Sequence, residues 1–412
     1  MKVLFISYND NLGGANKASY RLYKNMKNIG FDVCIYCVNK FTKDKNIFEV
    51  DKWSKSILPK KIKALFNRFY NFLITKNFYS SEVSLNIFPT RISNLINNSN
   101  CDLVHFHYIG SETISLNDIG NISKKIIFTF HDFWPLQGIR HLKTNNIKSF
   151  LKGDLKKMNI IDKIIFKKKI KNFKNISAAV LLNKEMYNFS KKSILFKRKE
   201  LYLMKNSINQ KIYKPLQKKE CKKELNLNKK KYILFGSATP FSDNNKNFKL
   251  VVKLSNYLIK KYKEEDLGFI FFGNSVNDKK LLKRINIEYI DFGFLKNEKK
   301  IAQLYNASDV LLCPSYYETL NQMAIESISC GTPVVAFNQG GLKDIVSNGV
   351  NGYLIKKYSF TNFFERVEYI LNNKKFINQS LRKEFHKQMR KYSNQSVARD
   401  HAEMYKNVFK KN

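Results

Sequence analysis

The sequence predicts an α/β protein built from two doubly wound parallel-sheet units in series. Three observations carry this expectation. A chain of 412 residues exceeds the size at which one hydrophobic core keeps growing. Its apolar runs are short and mostly continuous rather than alternating, as in parallel strands covered on both faces. The spaces between the runs suit crossover helices.

In chain order the strand candidates are KVLFISY, DVCIYCV, DLVHFHY, KIIFTFHD, SAAVLLN and ELYLMKN, then YILFGSA, GFIFFGN, IEYIDFGF, DVLLCPS, TPVVAF and GYLI. Helices are expected over Asn16–Ile29, Lys246–Tyr262, Glu298–Ala307 and Thr319–Ser329. A polar stretch at 205–219, containing Pro215, marks the boundary. The first domain then covers 1–205 and the second 206–393. The helical segment at about 394–412 follows the second unit and is expected to pack back on the first.

The formal net charge is +41, nearly all from lysine, in a chain also crowded with Asn and Ile. An AT-rich coding bias produces that mixture, yet such a field still attracts anions, including nucleotide phosphates, nucleic acid and acidic membranes. The six cysteines are scattered, which suggests a reducing compartment. Cys34 and Cys37 have C-x-x-C spacing but lie in a strand-like run with no second pair downstream, so neither zinc nor redox chemistry is expected. The amino-terminal run MKVLFISYND is too short for a signal peptide, and no stretch approaches a membrane span. The expectation is a cytoplasmic protein, peripheral on the inner face of a membrane.

The most informative stretch is YYETLNQMAIES, residues 316–327. Its carboxylates, Glu318 and Glu326, are eight helical steps apart, about 12 Å. An acid and base sharing one glycosidic bond stand roughly 5–9.5 Å apart, so these two suit different parts of one long ligand. Thr319 and Gln322 have capping-box spacing, which would start the helix at Thr319. Amides around Leu320, Asn321 and Gln322 would then form an anion site. A diphosphate there, flanked by hydroxyl-bearing groups, gives a nucleotide sugar a fitting layout. Helix glutamates that merely face solvent are the plain alternative.

The longer run SYYETLNQMAIESISCGTPVVAFNQGGLKDIVSNGVNGYLI resembles the carboxyl-terminal signature of retaining glycosyltransferase family 4, whose fold is GT-B. That signature is a Glu, seven residues, a second Glu, then C-G-T-P-V-V-A and a Gly-Gly pair. The resemblance implies that Glu318 addresses donor-sugar hydroxyls, Glu326 the ribose, and the backbone after Glu318 the diphosphate. Glu326-Ser327 departs from the family's usual E-A. In FGSATPFSDNNKNF the family usually places an R-K-G or similar basic pair; Lys246 is kept, between Asn245 and Asn247, as the diphosphate residue. Gly293 and Phe294, ending IEYIDFGF, complete the expected nucleotide site.

In the first domain, YNDNLGGANKASYRL is not a G-x-G-x-x-G fingerprint. Gly13 and Gly14 still permit close approach at a helix start, and in the resembled family this loop faces donor and acceptor. FTFHDFWPLQGIRH places His131 at a strand end, as in the H-D-x-W of similar exopolysaccharide enzymes, and assigns it to the sugar or acceptor, with Asp132 holding its ring. His105 and His107 read as structural.

There is no D-x-D to hold a divalent metal and no G-x-S-x-G for hydrolysis, so cations and amides must stabilise the diphosphate without a metal or other cofactor. The donor expected by resemblance is UDP- or GDP-linked. Two basic, apolar segments, 57–74 and 155–175, suit either a membrane interface or packing on their own domain. An anionic membrane surface and a lipid-linked glycan acceptor, such as a capsule or lipopolysaccharide precursor, are the expected partners. Another GT-B activity, inverting or epimerising, is the enzymatic rival. A charge-driven nucleic-acid binder is the other, against which no recognisable binding pattern appears, so nucleic acid is not an expected partner.

Overall fold

The computed structural model describes residues 1–50, 60–75 and 83–411. The chain divides into two compact units, Met1–Ser207 with Val397–Asn412, and Ile208–Ser396. Each is a single twisted parallel sheet covered by helices.

The first sheet comprises β1 (Lys2–Asn9), β2 (Asp32–Asn39), β3 (Ile47–Glu49), β4 (Leu103–Phe106), β5 (Lys125–Phe130), β6 (Ile176–Leu181) and β7 (Glu200–Leu203). Their order is β3-β2-β1-β4-β5-β6-β7. β4 and the inner residues of β1, β5 and β6 are buried, so the continuous apolar runs do mark two-sided burial. β3 is the one described strand absent from the sequence expectation. At three residues on the sheet edge it is too short to show a pattern.

The second sheet comprises β8 (Lys231–Ser237), β9 (Leu267–Gly273), β10 (Tyr289–Asp291), β11 (Val310–Cys313), β12 (Val334–Phe337) and β13 (Gly352–Ile355), ordered β10-β9-β8-β11-β12-β13. In both sheets the first strand lies beside the fourth, so chain order reverses there. A crevice opens at such a reversal, outside the carboxyl ends of the two strands, because the connecting helices leave in opposite directions.

The closing helix Asn394–Lys410 buries Val397, Ala398, Met404, Tyr405 and Val408 against the core of the first unit. Its buried polar tie is a histidine, in addition to the Lys125 ammonium, which donates to the Val408 and Phe409 carbonyls at 3.2 and 3.1 Å. His105 on β4 is fully buried and shares hydrogen bonds of 2.7 Å with Tyr405 Oη and with Thr129 Oγ1 of β5. His107 and His401 crowd the same region, with the His105 and His107 rings 4.2 Å apart.

Burial, then mutual repulsion, holds His105 and His107 far below the usual imidazole range, and burial brings His401 down to about 4. These rings are neutral in the fold but take up protons in the unfolded chain below pH 6.5, their ordinary value. Stability is therefore full above that value and falls as pH drops through it toward 4, because the unfolded state binds the extra protons. Denaturant titrations across this range should show unfolding free energy decreasing with a slope above one proton. Replacing His401 by Gln should flatten it.

Candidate active site

At the reversal in the second sheet, the loop after β8 and the loop after β11 leave adjacent strands, about 5 Å apart. Side chains knit them together. Lys246 Nζ lies 2.7 Å from Glu318 Oε1, and both side chains are about 15% exposed, at 15% and 16%. Burial works against the Lys246 charge, but the adjacent Glu318 carboxylate prevails and raises the ammonium above its usual value. Lys246 is thus a permanent cation at the crevice.

The sequence builds this pair through its neighbours. Asn245 turns its side chain onto Tyr317, accepting from its N–H at 3.0 Å and donating to its carbonyl at 2.8 Å. Asn247 stands at φ 54°, a left-handed position that Asn tolerates better than most residues, and donates to the Pro314 carbonyl. These contacts account for two departures from the family pattern. Asn245 gives up a cation for a clamp, and Asn247 meets a backbone demand that glycine otherwise meets.

The other wall is NQGG. Gln339 accepts from Glu318 N–H at 2.8 Å and donates to the Ser315 carbonyl at 3.2 Å. A Cβ on Gly340, at φ 47°, would meet the Glu318 carbonyl oxygen at 2.1 Å, and one on Gly341 would meet that of Thr319 at 2.3 Å. Only glycines let this loop press on the Glu318–Thr319 backbone.

The helix begins later than the capping-box spacing predicts. It runs Gln322–Ser329, and Asn321 is its N-cap, accepting from Ala324 N–H at 2.9 Å. Thr319 and Leu320 belong to the loop pressed on Gly341, which holds them out of the helix. The helix-start amides therefore begin at Gln322, while Thr319 and Leu320 lie in the preceding loop and buried Asn321 serves as the cap. Glu326 falls on the buried face, 5% exposed, where Tyr305 Oη donates to Oε2 at 3.1 Å. Glu318 and Glu326 are thus in different surroundings, one in an ion pair and the other in a buried hydrogen bond. Gly293, at φ 58°, accepts from Gly273 N–H at 2.7 Å beyond β10, and Phe294 is exposed beside it. They lie two strands from β8, about 10 Å across the sheet, outside the knitted pair.

In the first unit, Gly13 caps the helix Gly14–Asn28 at φ 78°, a conformation suited to glycine. A Cβ on Gly13 or Gly14 would meet nothing within 4 Å, so the space beside the loop is open. His131 follows β5. Its Nε2 is 3.2 Å from His107 Nδ1, and burial pulls it down to about 4 against the opposing Asp132 charge. Asp132 does not hold the His131 ring. Its Oδ2 is 2.7 Å from His141 Nδ1, and its Oδ1 accepts from Trp134 N–H. His141 Nε2 in turn meets Ser84 Oγ at 2.7 Å.

Although Ser84, His141 and Asp132 have the connectivity of a hydrolytic triad, Ser84 is fully buried and its Oγ also accepts from Ser111 N–H. A Cβ on Gly110 would lie 2.7 Å from the His141 ring, so no acyl group fits. The chain of bonds instead fixes the loop carrying His131. Lys169 does the same from below, donating to the carbonyls of Trp134, Gln137 and Gly138. Neither His141 nor Lys169 shows a signal in the sequence, because their partners are assembled only by the fold.

All six cysteines are buried thiols, and Cys34 and Cys37 lie on β2, where residues three apart point to opposite faces. Among the described residues no three of His, Cys, Asp and Glu gather as metal ligands.

Residues 217–395 match the family model described as Glycosyl transferases group 1. An uncharacterized glycosyltransferase of Methanocaldococcus jannaschii is 30% identical over 125 residues, covering 29% of this chain and 34% of the relative. A D-inositol 3-phosphate glycosyltransferase of Rhodococcus erythropolis is 45% identical over 58 residues, covering 14% of this chain and 13% of the relative. The first two relatives are thus matched over about a third of their own length, at 34% and 36%. Among solved structures, sucrose-phosphate synthase of Thermosynechococcus elongatus superposes with TM-score 0.71 at 15% identity, covering 99% of both chains. HepE of Anabaena in complex with UDP-glucose gives 0.67 at 14%, covering 99% of this chain and 100% of that one. The fold is GT-B, two Rossmann-like domains, and its second unit carries a glycosyl transferases group 1 domain.

Proposed function

We propose that the chain is a retaining glycosyltransferase that moves a sugar from a nucleoside-diphosphate sugar to a glycan acceptor carried on a lipid. The observation that carries this reading is the Lys246–Glu318 pair at 2.7 Å, set at the strand-order reversal of the group 1 domain. A bound donor offers each partner a replacement. The diphosphate takes the Lys246 ammonium, and the sugar hydroxyls donate to the Glu318 carboxylate. The helix-start amides of Gln322 and Met323 are assigned to the remaining phosphate charge. Glu326 is assigned to the ribose hydroxyls, with Tyr305 fixing its carboxylate. UDP is the favoured carrier, since HepE binds UDP-glucose on this fold.

In the reaction the acceptor hydroxyl attacks the anomeric carbon from the face that the phosphate leaves. The new bond forms between acceptor oxygen and anomeric carbon as the bond to phosphate breaks. The departing phosphate oxygen takes the acceptor proton. Negative charge builds on that phosphate, and Lys246 with the helix-start amides stabilises it, so no divalent metal is required. His131, held by the His107 contact, is assigned to the sugar or acceptor.

Two variants separate binding from transfer. Lys246→Ala should weaken donor binding about 10- to 100-fold by calorimetry, the worth of hydrogen bonds to a charged group. Glu318→Gln should keep donor affinity within about threefold while transfer falls by about 100-fold or more. Equal loss of affinity in both would remove the division of labour. Product NMR should show the anomeric configuration of the donor retained, and turnover should persist in excess chelator; an inverted anomer or chelator-arrested turnover would overturn the mechanism.

A further inference from the structure

One helix of the first unit is inside out, and a second leaves an apolar patch exposed. Surface helices normally turn their apolar stripe to the core. In the helix Lys60–Thr75, the residues Ile62, Leu65, Phe66, Phe69 and Leu73 form one stripe about 100° wide, and all five are exposed, Leu65 at 67%. The opposite side is polar and bolted down. Asn71 is fully buried and bonds both the N–H and the carbonyl of Val83, at 3.2 and 3.1 Å. Tyr70 Oη donates to buried Glu112 at 2.6 Å, and Lys63 is buried as well. Glu112 also accepts the N–H groups of Asn86, Ile87 and Phe88, so the helix sits on a rigid seat. Leu58 and Pro59, which the sequence joins to this segment, lie outside the described residues.

The helix Ile160–Asn172 is apolar on both faces. It buries Ile165 and Phe166 together with Asp162, Lys169 and Asn172, yet Ile160 is 77% exposed beside exposed Ile161 and Ile164. Lys167 and Lys171 are exposed on the same helix, and Lys156 and Lys157 just ahead of it. Lys61 and Arg68 border the first stripe. Contiguous exposed apolar residues rimmed by charge mark an interaction surface rather than ordinary surface.

We propose that these two helices dock the first unit onto an anionic lipid bilayer, with their apolar side chains entering the headgroup boundary. Charge decides the occupant. A second copy of a chain at +41 would bring like charges together, whereas acidic headgroups complement the lysine rims. Nucleic acid would meet the lysines but offers nothing to the protruding Leu65, Phe69 and Ile160. No helix among the described residues is long and apolar enough to cross a membrane, so docking is interfacial. The inference does not depend on the transfer chemistry, although a lipid-carried acceptor would lie at such a surface.

Co-sedimentation of the full chain with vesicles tests it. Binding is expected to vesicles containing phosphatidylglycerol, falling with added salt, and to be much weaker for phosphatidylcholine alone. The triple variants Leu65→Ser/Phe69→Ser/Leu73→Ser and Ile160→Ser/Ile161→Ser/Ile164→Ser should each cut the bound fraction about tenfold, with UDP-sugar affinity unchanged. Because the native cysteines are buried, a fluorophore on Phe69→Cys reports the same contact in an otherwise intact chain, and its emission should shift to the blue on anionic vesicles. Unchanged binding in both triple variants, an unshifted fluorophore, or loss of self-association rather than of vesicle binding would overturn the proposal. Loss of UDP-sugar binding in the parent chain would count against the transfer reading alone.

Discussion

The second unit is organised around one ion pair. Lys246 and Glu318 are both largely withdrawn from water, and taking an ion out of water costs several kcal/mol unless a partner compensates it. Each is the other's compensation. That is why so much of the surrounding sequence serves position rather than chemistry. Asn245 clamps Tyr317, Gln339 holds the Glu318 backbone, and Gly340 and Gly341 vacate the space that this backbone fills. A mutual pair of this kind is a placeholder as well as a support, since a ligand carrying both an anion and hydroxyl donors can replace both partners without stranding either charge.

The strands were legible in the sequence because burial on two faces writes itself as unbroken apolar runs. The twelve expected segments coincide with strands, and among the described residues only three-residue β3 escaped. Helix boundaries were less legible. Thr319 and Gln322 satisfy a local capping rule, yet Asn321 caps the helix, because Gly340 and Gly341 pin the preceding backbone from some twenty residues away. Local rules fail where a tertiary contact has already claimed the residue. The same cause hid the bond between Asp132 and His141, and the role of Lys169, whose three carbonyl partners exist only once the loop after β5 is folded.

Amphipathicity shows the opposite limitation. The spacing of Ile62, Leu65, Phe69 and Leu73 announced a helix, but periodicity says only that one face is apolar, not which way it points. Direction came from the partners of the polar side. Asn71 and Tyr70 have fixed hydrogen bonds inside the unit, and Asp162 and Lys169 have theirs. Buried polar groups without such bonds would make the inversion costly, since each would forfeit its water with nothing in return. With the bonds in place, the exposed apolar stripe becomes the stable arrangement.

The two asparagines beside Lys246 carry the last consequence. Where the resembled family brings a second cation, Asn245 is neutral, and its amide is already spent on Tyr317. One ammonium cannot balance a diphosphate, and part of its charge is answered by Glu318 until the ligand arrives. Under the proposed reading the remaining phosphate charge therefore falls on backbone amides at the start of the helix Gln322–Ser329. Amides fixed by the fold need no reorganisation as charge develops, whereas a long cationic side chain must first be ordered. A donor site built this way depends less on the number of its cations than on how firmly Asn321, Gln339 and the two glycines hold that helix start in place.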